Sequence, residues 1–167
     1  KDLRTLELLP YTGSYLPDAI MTAHILYRKL DDRFPASISK KIIFDLLRKE
    51  IGFKGLVISD CLEMDALTRA YSLGGAVIFA VQASCDILTI SHSFGRQLIV
   101  RNSLLEAAKS DPGFLKHVDE AVARILKYKE KYCMEATAEI DFEKNRELAE
   151  AASLASITIA SGTPFPI

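Results

Sequence analysis

Three acidic residues lie close together in the middle of the chain. Asp60 closes the apolar run at residues 55–60, and Glu63 and Asp65 follow it within five positions. Pairs of carboxylates carry out glycoside hydrolysis, one as nucleophile or base and the other as acid. The pattern is therefore compatible with sugar chemistry at Asp60, and equally with Asp60 capping the following turn. For Glu63 and Asp65 we expect exposure to solvent, because charged side chains are rarely buried.

Polar residues also close two other apolar runs. His24 belongs to the run at residues 19–25, and Ser91 and His92 come at the end of the run at 86–91. If these runs are neighbouring strands, their polar ends meet at one edge of a sheet, where barrel enzymes bind substrate. We predict substrate contacts for His24, Ser91 and His92, with a hydrogen-bonded core histidine as the alternative for His24.

Other chemistries have little support in the residue pattern. No serine stands in a nucleophile elbow, and no glycine-rich phosphate loop occurs. Cys61, Cys85 and Cys133 are odd in number and far apart, and no ligand types recur at zinc spacing. We therefore expect no disulfide framework, no metal site and no cofactor. Unpaired cysteines favour a cytoplasmic location, although a secretory leader ahead of Lys1 would change that expectation.

Composition excludes two classes of partner. The 167 residues are 49% hydrophobic and 26% charged, with a net charge of -1. This balance supports a buried core and gives no clustered positive charge for nucleic acid or a membrane surface. The longest apolar stretch, at residues 74–81, is far shorter than the roughly 20 residues of a membrane-spanning helix. We expect neither nucleic acid nor a membrane as a partner.

The three apolar runs alternate with helical patterns. Residues 19–25, 55–60 and 86–91 are predicted strands, and residues 39–51 and 72–84 are predicted helices between them. Ser37 or Ser39 can cap the first helix, and Gly52 can end it. Strands joined by helical crossovers form a parallel sheet.

The second half of the chain is predicted to be mainly helical. Helices are expected at residues 95–109 and 113–132, with Asp111 and Pro112 opening the second. The predicted buried stripe of the second helix consists of Val118, Ala121, Val122, Ile125 and Leu126. A linker at 133–142, a helix at 143–152 and a strand at 154–160 would follow. The predicted division is a first domain at 1–132 and a linker with the start of a second domain at 133–167.

Ordered sequence blocks carry a resemblance to a known family. The segment LVISDCLEM at residues 56–64 resembles the nucleophile segment of glycoside hydrolase family 3, especially its β-N-acetylglucosaminidase (β-hexosaminidase) branch. The segment AIMTAHI at 19–25 is similar to the preceding barrel strand of that family. Further blocks that resemble the family in order lie at residues 35–43, 46–55, 86–88, 121–129 and 148–159.

The resemblance implies a fold and a set of roles. The fold is α/β, the C-terminal part of a (β/α)8 TIM-type barrel followed by the start of an α/β sandwich domain or a linker. The implied activity is removal of terminal β-linked N-acetylglucosamine from an oligosaccharide by a retaining mechanism. Asp60 would be the catalytic nucleophile, His24 and Met64 would contact the sugar, and no cofactor would take part.

Parts of the family pattern are missing from the chain. The resemblance places the acid/base on a loop with Gly-Asp-Thr and Asp-Ser-His patterns, and a Lys-His-Phe-Pro-Gly-His block helps to hold the sugar; neither occurs here. A closed barrel needs eight strands and about 250 residues, whereas three strands are predicted. We expect the missing N-terminal part of the barrel to be required, and the chain alone to be inactive.

Three alternatives to this reading stay open. The chain could be a non-catalytic barrel remnant that acts as a binding or assembly module, or its natural acceptor could be phosphate in place of water. An unrelated barrel aldolase is disfavoured, because no predicted strand ends in a lysine.

Overall fold

The computed structural model describes residues 3–13, 16–133 and 141–157. The chain divides into two compact units, Lys1–Cys133 and Met134–Ile167. Within the described residues, no helix is long and apolar enough to cross a membrane.

The first unit is built on a parallel sheet of three strands. These are β1 (Ala19–Met21), β2 (Leu56–Cys61) and β3 (Ile87–Thr89), in the spatial order β1-β2-β3. The predicted parallel α/β arrangement is confirmed, although β1 and β3 are shorter than the apolar runs that predicted them. Pairing of β1 with β2 continues one step past Met21, because the Thr22 amide donates to the Ile58 carbonyl at 2.8 Å.

Helical segments cross between the strands on one side of the sheet. After β1 come a short 3-10 turn (Ala36–Ile38) and a π-helical segment (Lys41–Glu50), and after β2 come α1 (Asp65–Thr68) and α2 (Leu73–Gln82). Ser39 accepts the Ile42 amide at 3.2 Å and Gly52 adopts a φ of +79°, so the predicted start and end signals are confirmed. The wider π winding of this segment was not predicted.

The core lies between the sheet and these helices. Val57 of β2 is fully buried and packs in one cluster with side chains from the helical segments and loops, including Ile43, Phe53, Leu67, Val77 and Val100. The two faces of β2 therefore differ. Val57 and Ser59 are buried, whereas Leu56, Ile58 and Asp60 stay partly exposed on the opposite face.

Two long helices complete the first unit. They are α3 (Phe94–Ser110) and α4 (Pro112–Cys133), and Asp111 opens α4 by accepting the Gly113 amide at 2.8 Å. The predicted buried stripe of α4 is only partly present. Ala121 is buried, but Val122 and Leu126 are 44% and 52% exposed, because no described element covers that part of the helix.

The second unit contains α5 (Phe142–Ser156), which Asp141 caps through the Lys144 amide. This helix confirms and extends the one predicted at 143–152. The strand predicted at 154–160 is wrong at its first four positions, because residues 154–156 continue the helix and Ile157 lies outside any strand. Most of the predicted linker and the rest of that strand lie outside the described residues. The assignment of this unit to a sandwich domain stays a prediction.

Candidate active site

Asp60 lies at the C-terminal end of the central strand. It occupies the partly exposed face of β2, and its backbone is held by the Thr22 carbonyl, which accepts the Asp60 amide at 3.1 Å. Its Oδ1 accepts the amide of Cys61 at 2.7 Å. Within the described residues Oδ2 receives no hydrogen bond. The carboxylate is thus oriented by one backbone donor and keeps a free oxygen at the open end of the sheet.

Glu63 is buried directly behind this strand end, so the expectation of a solvated Glu63 is wrong. Its side chain is 3% exposed, and Oε2 accepts the backbone amides of Ser91 and His92 at 2.8 and 2.7 Å. No residue near Glu63 in the sequence indicates this burial, because both donors come from the loop after β3. Glu63 therefore ties the loop after β2 to the loop after β3.

The charge of Glu63 is stabilised by its surroundings. Hydrogen bonding from the His92 amide, together with the Ser91 amide and the nearby Arg96 guanidinium, holds the pKa of Glu63 below its usual range despite desolvation. Arg96 Nη1 lies 3.7 Å from Oε1. That distance is too long for a hydrogen bond, and Oε1 is a buried oxygen without a hydrogen-bond partner in the described structure.

His24 links three segments beneath the site. Its Nε2 lies 2.8 Å from the Cys61 carbonyl and its Nδ1 lies 2.6 Å from Ser37 Oγ. Because a carbonyl can only accept, Nε2 carries the hydrogen. His24 is thus hydrogen-bonded as the core-histidine alternative predicts. Its bond to the Cys61 carbonyl holds the backbone next to Asp60 in place. A contact of His24 with substrate stays a prediction.

Side chains lock the central strand β2 to its neighbour β3. Ser59 Oγ accepts the Thr89 amide at 3.0 Å, and Thr89 Oγ1 donates to the Ser59 carbonyl at 2.9 Å, where the β2–β3 register is irregular. At the opposite end of β3, Asp86 accepts the Val57 amide at 2.7 Å. The central strand is therefore held rigidly along its length, which preorganises the acid at its end.

The remaining predicted site residues surround the same strand ends. Met64 is 45% exposed and precedes α1, and Ser91 and His92 are exposed on the loop after β3. Asp65 is exposed as expected and pairs with Arg69 one helical turn away. The structure brings Ser91 and His92 to Glu63, but it records no contact of Met64 or Asp65 with that group.

One set of side chains near the site could hold a metal ion. One ligand atom each from Cys61, Glu63 and His92 lies within 4.8 Å of the other two. Metal-ligand spacing is not visible in the sequence, because His92 is far from the other two residues along the chain. Only the fold brings the three together.

Comparison with known proteins gives the family. Residues 1–128 match the glycosyl hydrolase family 3 N-terminal domain. A β-hexosaminidase of Psychromonas ingrahamii is 29% identical over 148 residues, covering 89% of this chain and 41% of that protein. The chain spans well under half the length of the first curated relatives that it matches, between 28% and 41%.

Two solved structures share the fold. A family 3 β-N-acetylglucosaminidase from Paenibacillus sp. matches 90% of this chain and 30% of its own, with a TM-score of 0.70 and 34% identity. A fungal multi-domain family 3 β-N-acetylglucosaminidase matches 90% of this chain and 19% of its own, with a TM-score of 0.79 and 26% identity. The resemblance seen in the sequence is confirmed: the chain belongs to glycosyl hydrolase family 3, in its β-hexosaminidase branch.

Proposed function

We propose that this chain supplies the catalytic nucleophile, Asp60, of a retaining glycosidase that removes terminal β-linked N-acetylglucosamine. The observation that carries the proposal is the placement of Asp60. It ends the central parallel strand, faces the uncovered side of the sheet, and keeps one oxygen free while the other accepts the Cys61 amide. An ionised carboxylate held in this way can attack an anomeric carbon.

Both steps of the proposed reaction use Asp60. In the first, the free oxygen forms a bond to the anomeric carbon as the glycosidic bond breaks, and an acid elsewhere protonates the departing oxygen. In the second, water attacks the same carbon, releases Asp60 and gives its proton back to the acid/base residue. The chemistry requires no metal ion and no organic cofactor.

The substrate proposal rests on the relatives. The fungal and the Paenibacillus structures compared above are both described as β-N-acetylglucosaminidases. We therefore propose an oligosaccharide that carries N-acetylglucosamine as the partner, and sugar contacts for His24, Met64, Ser91 and His92. The unpaired cysteines support a cytoplasmic location within the same proposal.

The acid/base residue and the rest of the barrel are proposed to lie outside these 167 residues. Three parallel strands are described, and an eight-stranded barrel needs five more to close. The uncovered sheet face and the exposed Val122 and Leu126 are the surfaces that such elements would cover. The 167-residue chain is accordingly proposed to be inactive by itself.

Kinetics of an Asp60→Asn variant of the full-length protein test the proposal. We expect hydrolysis of an aryl β-N-acetylglucosaminide to fall at least about a thousandfold, because the amide cannot act as the nucleophile. Asp65→Asn is the matched control, since Asp65 is an exposed acid on the following turn, and its rate should be unchanged.

Product analysis separates the alternatives. Free N-acetylglucosamine is the expected product in the presence of inorganic phosphate, whereas a sugar phosphate would show that phosphate is the acceptor. No turnover of any aryl glycoside by the wild-type protein would favour the non-catalytic remnant. An Asp60→Asn variant with wild-type activity would refute the nucleophile assignment.

A further inference from the structure

We propose that Cys61, Glu63 and His92 form a binding site for a zinc ion. The site shares His92 with the proposed sugar contacts, but the proposed glycosidase chemistry needs no metal and the zinc proposal does not depend on it. Cys61 ends β2, Glu63 lies two residues later, and His92 comes from the loop after β3. An ion bound by all three residues would join the two loops beside Asp60.

The distances between the three groups suit a small tetrahedral ion. Glu63 Oε2 lies 3.8 Å from Cys61 Sγ and 3.6 Å from His92 Nδ1, and all three atoms fall within 4.8 Å of one another. Zinc bonds of about 2.0 to 2.3 Å at tetrahedral angles separate ligand atoms by about 3.3 to 3.6 Å. The two separations from Oε2 exceed the matching tetrahedral values by a few tenths of an ångström, and the separation between the sulfur and the imidazole must shorten further if it lies near its 4.8 Å limit. The His92 side chain is 81% exposed and is free to close the remaining gap.

The buried carboxylate is the second observation that points to a ligand. The Glu63 side chain is 3% exposed, yet its Oε1 has no hydrogen-bond partner in the described structure. Buried polar atoms are nearly always paired, and an unpaired one commonly marks a site for an ion or water. Oε2, the oxygen nearest the sulfur and the imidazole, already accepts the Ser91 and His92 amides, so Oε1 of the same carboxylate is the oxygen left available to an ion.

The ligand chemistry selects zinc among common metal ions. Magnesium and calcium prefer all-oxygen sites, whereas a thiolate combined with an imidazole and a carboxylate suits Zn²⁺. The Cys61 thiol loses its proton to solvent as the sulfur–zinc bond forms. With three protein ligands, the fourth position is left for water on the exposed side of His92.

One neighbouring charge opposes the ion. The Arg96 guanidinium lies 3.7 Å from Glu63 Oε1 and half of its side chain is exposed, at 49%. An exposed guanidinium can move away into solvent when a divalent cation replaces it as the partner of the carboxylate. An Arg96→Gln variant should therefore bind zinc at least as tightly as the wild type.

Metal titration of the full-length protein tests the proposal, with Co²⁺ as a spectroscopic probe and Zn²⁺ in competition with a chromophoric chelator. We expect one ion per chain and an ultraviolet thiolate-to-cobalt charge-transfer band that added zinc removes. Cys61→Ser should abolish this band, and His92→Ala should weaken zinc binding at least tenfold. Cys133→Ser and His117→Ala are the matched controls, because these residues lie on α4, and both should bind like the wild type.

Failure of the cluster to bind would be recognised directly. Absence of zinc uptake at micromolar concentrations, or a cobalt band that survives in Cys61→Ser and disappears in Cys133→Ser, would overturn the site. Circular dichroism of the metal-free variants shows whether they fold. His92→Ala decides if Cys61→Ser does not fold, because truncation of an exposed side chain leaves the core intact. Glycosidase activity is not the readout, so loss of zinc binding and loss of the proposed activity are distinguishable.

Discussion

Replacement of Asp86 by asparagine tests how the central strand is held. The Asp86 side chain is fully buried, and its two oxygens accept three strong hydrogen bonds: Arg48 Nη2 at 2.5 Å, Arg124 Nε at 2.7 Å and the Val57 amide at 2.7 Å. The Arg48 side chain is only 9% exposed, and burial lowers its pKa. Asp86 is therefore the counter-charge that makes the buried Arg48 tolerable.

The expected loss is large for a single substitution. Asparagine keeps the shape and one acceptor oxygen, but its amide nitrogen would face an arginine donor and the negative charge is gone. Breaking a buried ion pair by removing one partner costs about 3–5 kcal/mol, because the other charge stays buried without compensation. Domains of this size are stable by only about 5–15 kcal/mol. Asp86→Asn should thus lose a substantial part of the free energy of unfolding.

Urea denaturation followed by circular dichroism measures this loss. Asp65→Asn is the control, because its partner Arg69 and Asp65 itself are 80% and 77% exposed, and such pairs contribute about 0.5 kcal/mol or less. We expect a much lower midpoint for Asp86→Asn at an unchanged slope. A loss of less than about 1 kcal/mol in the free energy of unfolding would show that Asp86 is not the counter-charge that buried Arg48 requires. A variant that is unfolded without urea would agree with that role.

Three further predictions concern other parts of the first unit. Gly52→Ala should lower the free energy of unfolding by about 1–2 kcal/mol, because alanine is strained at a φ of +79°, and an unchanged urea midpoint would contradict this. Glu63→Gln should destabilise the protein at neutral pH. The pKa of Glu63 is lower in the folded protein than the value of about 4.3 in the unfolded chain, so the ionised carboxylate stabilises the fold above about pH 4.3. This stability is lost as the pH falls through the pKa of the folded state. The urea midpoints of the variant and the wild type should therefore converge in acid. Burial raises the pKa of Cys85 to about 12, so mass spectrometry should find iodoacetamide on exposed Cys133 in the native protein and on Cys85 only after denaturation.

Local sequence patterns predicted the framework of the first unit well. Apolar runs closed by polar residues predicted the three strands of a parallel sheet, since a strand buried in such a sheet has a continuous apolar sequence. The end signals at Ser39, Gly52 and Asp111 were visible because capping depends on residues close in sequence. Asp60 closes the central apolar run and lies at the C-terminal end of β2, and its role as nucleophile stays a proposal.

The features that were predicted wrongly or not at all depend on contacts between segments that are distant in sequence. Burial of Glu63 requires the amides of Ser91 and His92, which only the fold brings near it. The general rule that charged side chains are exposed therefore led to the wrong expectation for Glu63. The cluster of Glu63 with Cys61 and His92 was missed for the same reason. The exposure of Val122 was missed because an amphipathic pattern shows which face is apolar and does not show what covers it.

Trapping of the covalent intermediate tests the proposal that Asp60 is the nucleophile of a retaining glycosidase. The full-length protein is incubated with a fluorinated N-acetylglucosamine analogue that slows release of the sugar, digested with a protease and analysed by tandem mass spectrometry. We expect a single sugar adduct on Asp60, absent from Asp60→Asn. An active enzyme that carries the adduct on another residue, or that forms none while inverting the anomeric configuration, would contradict it.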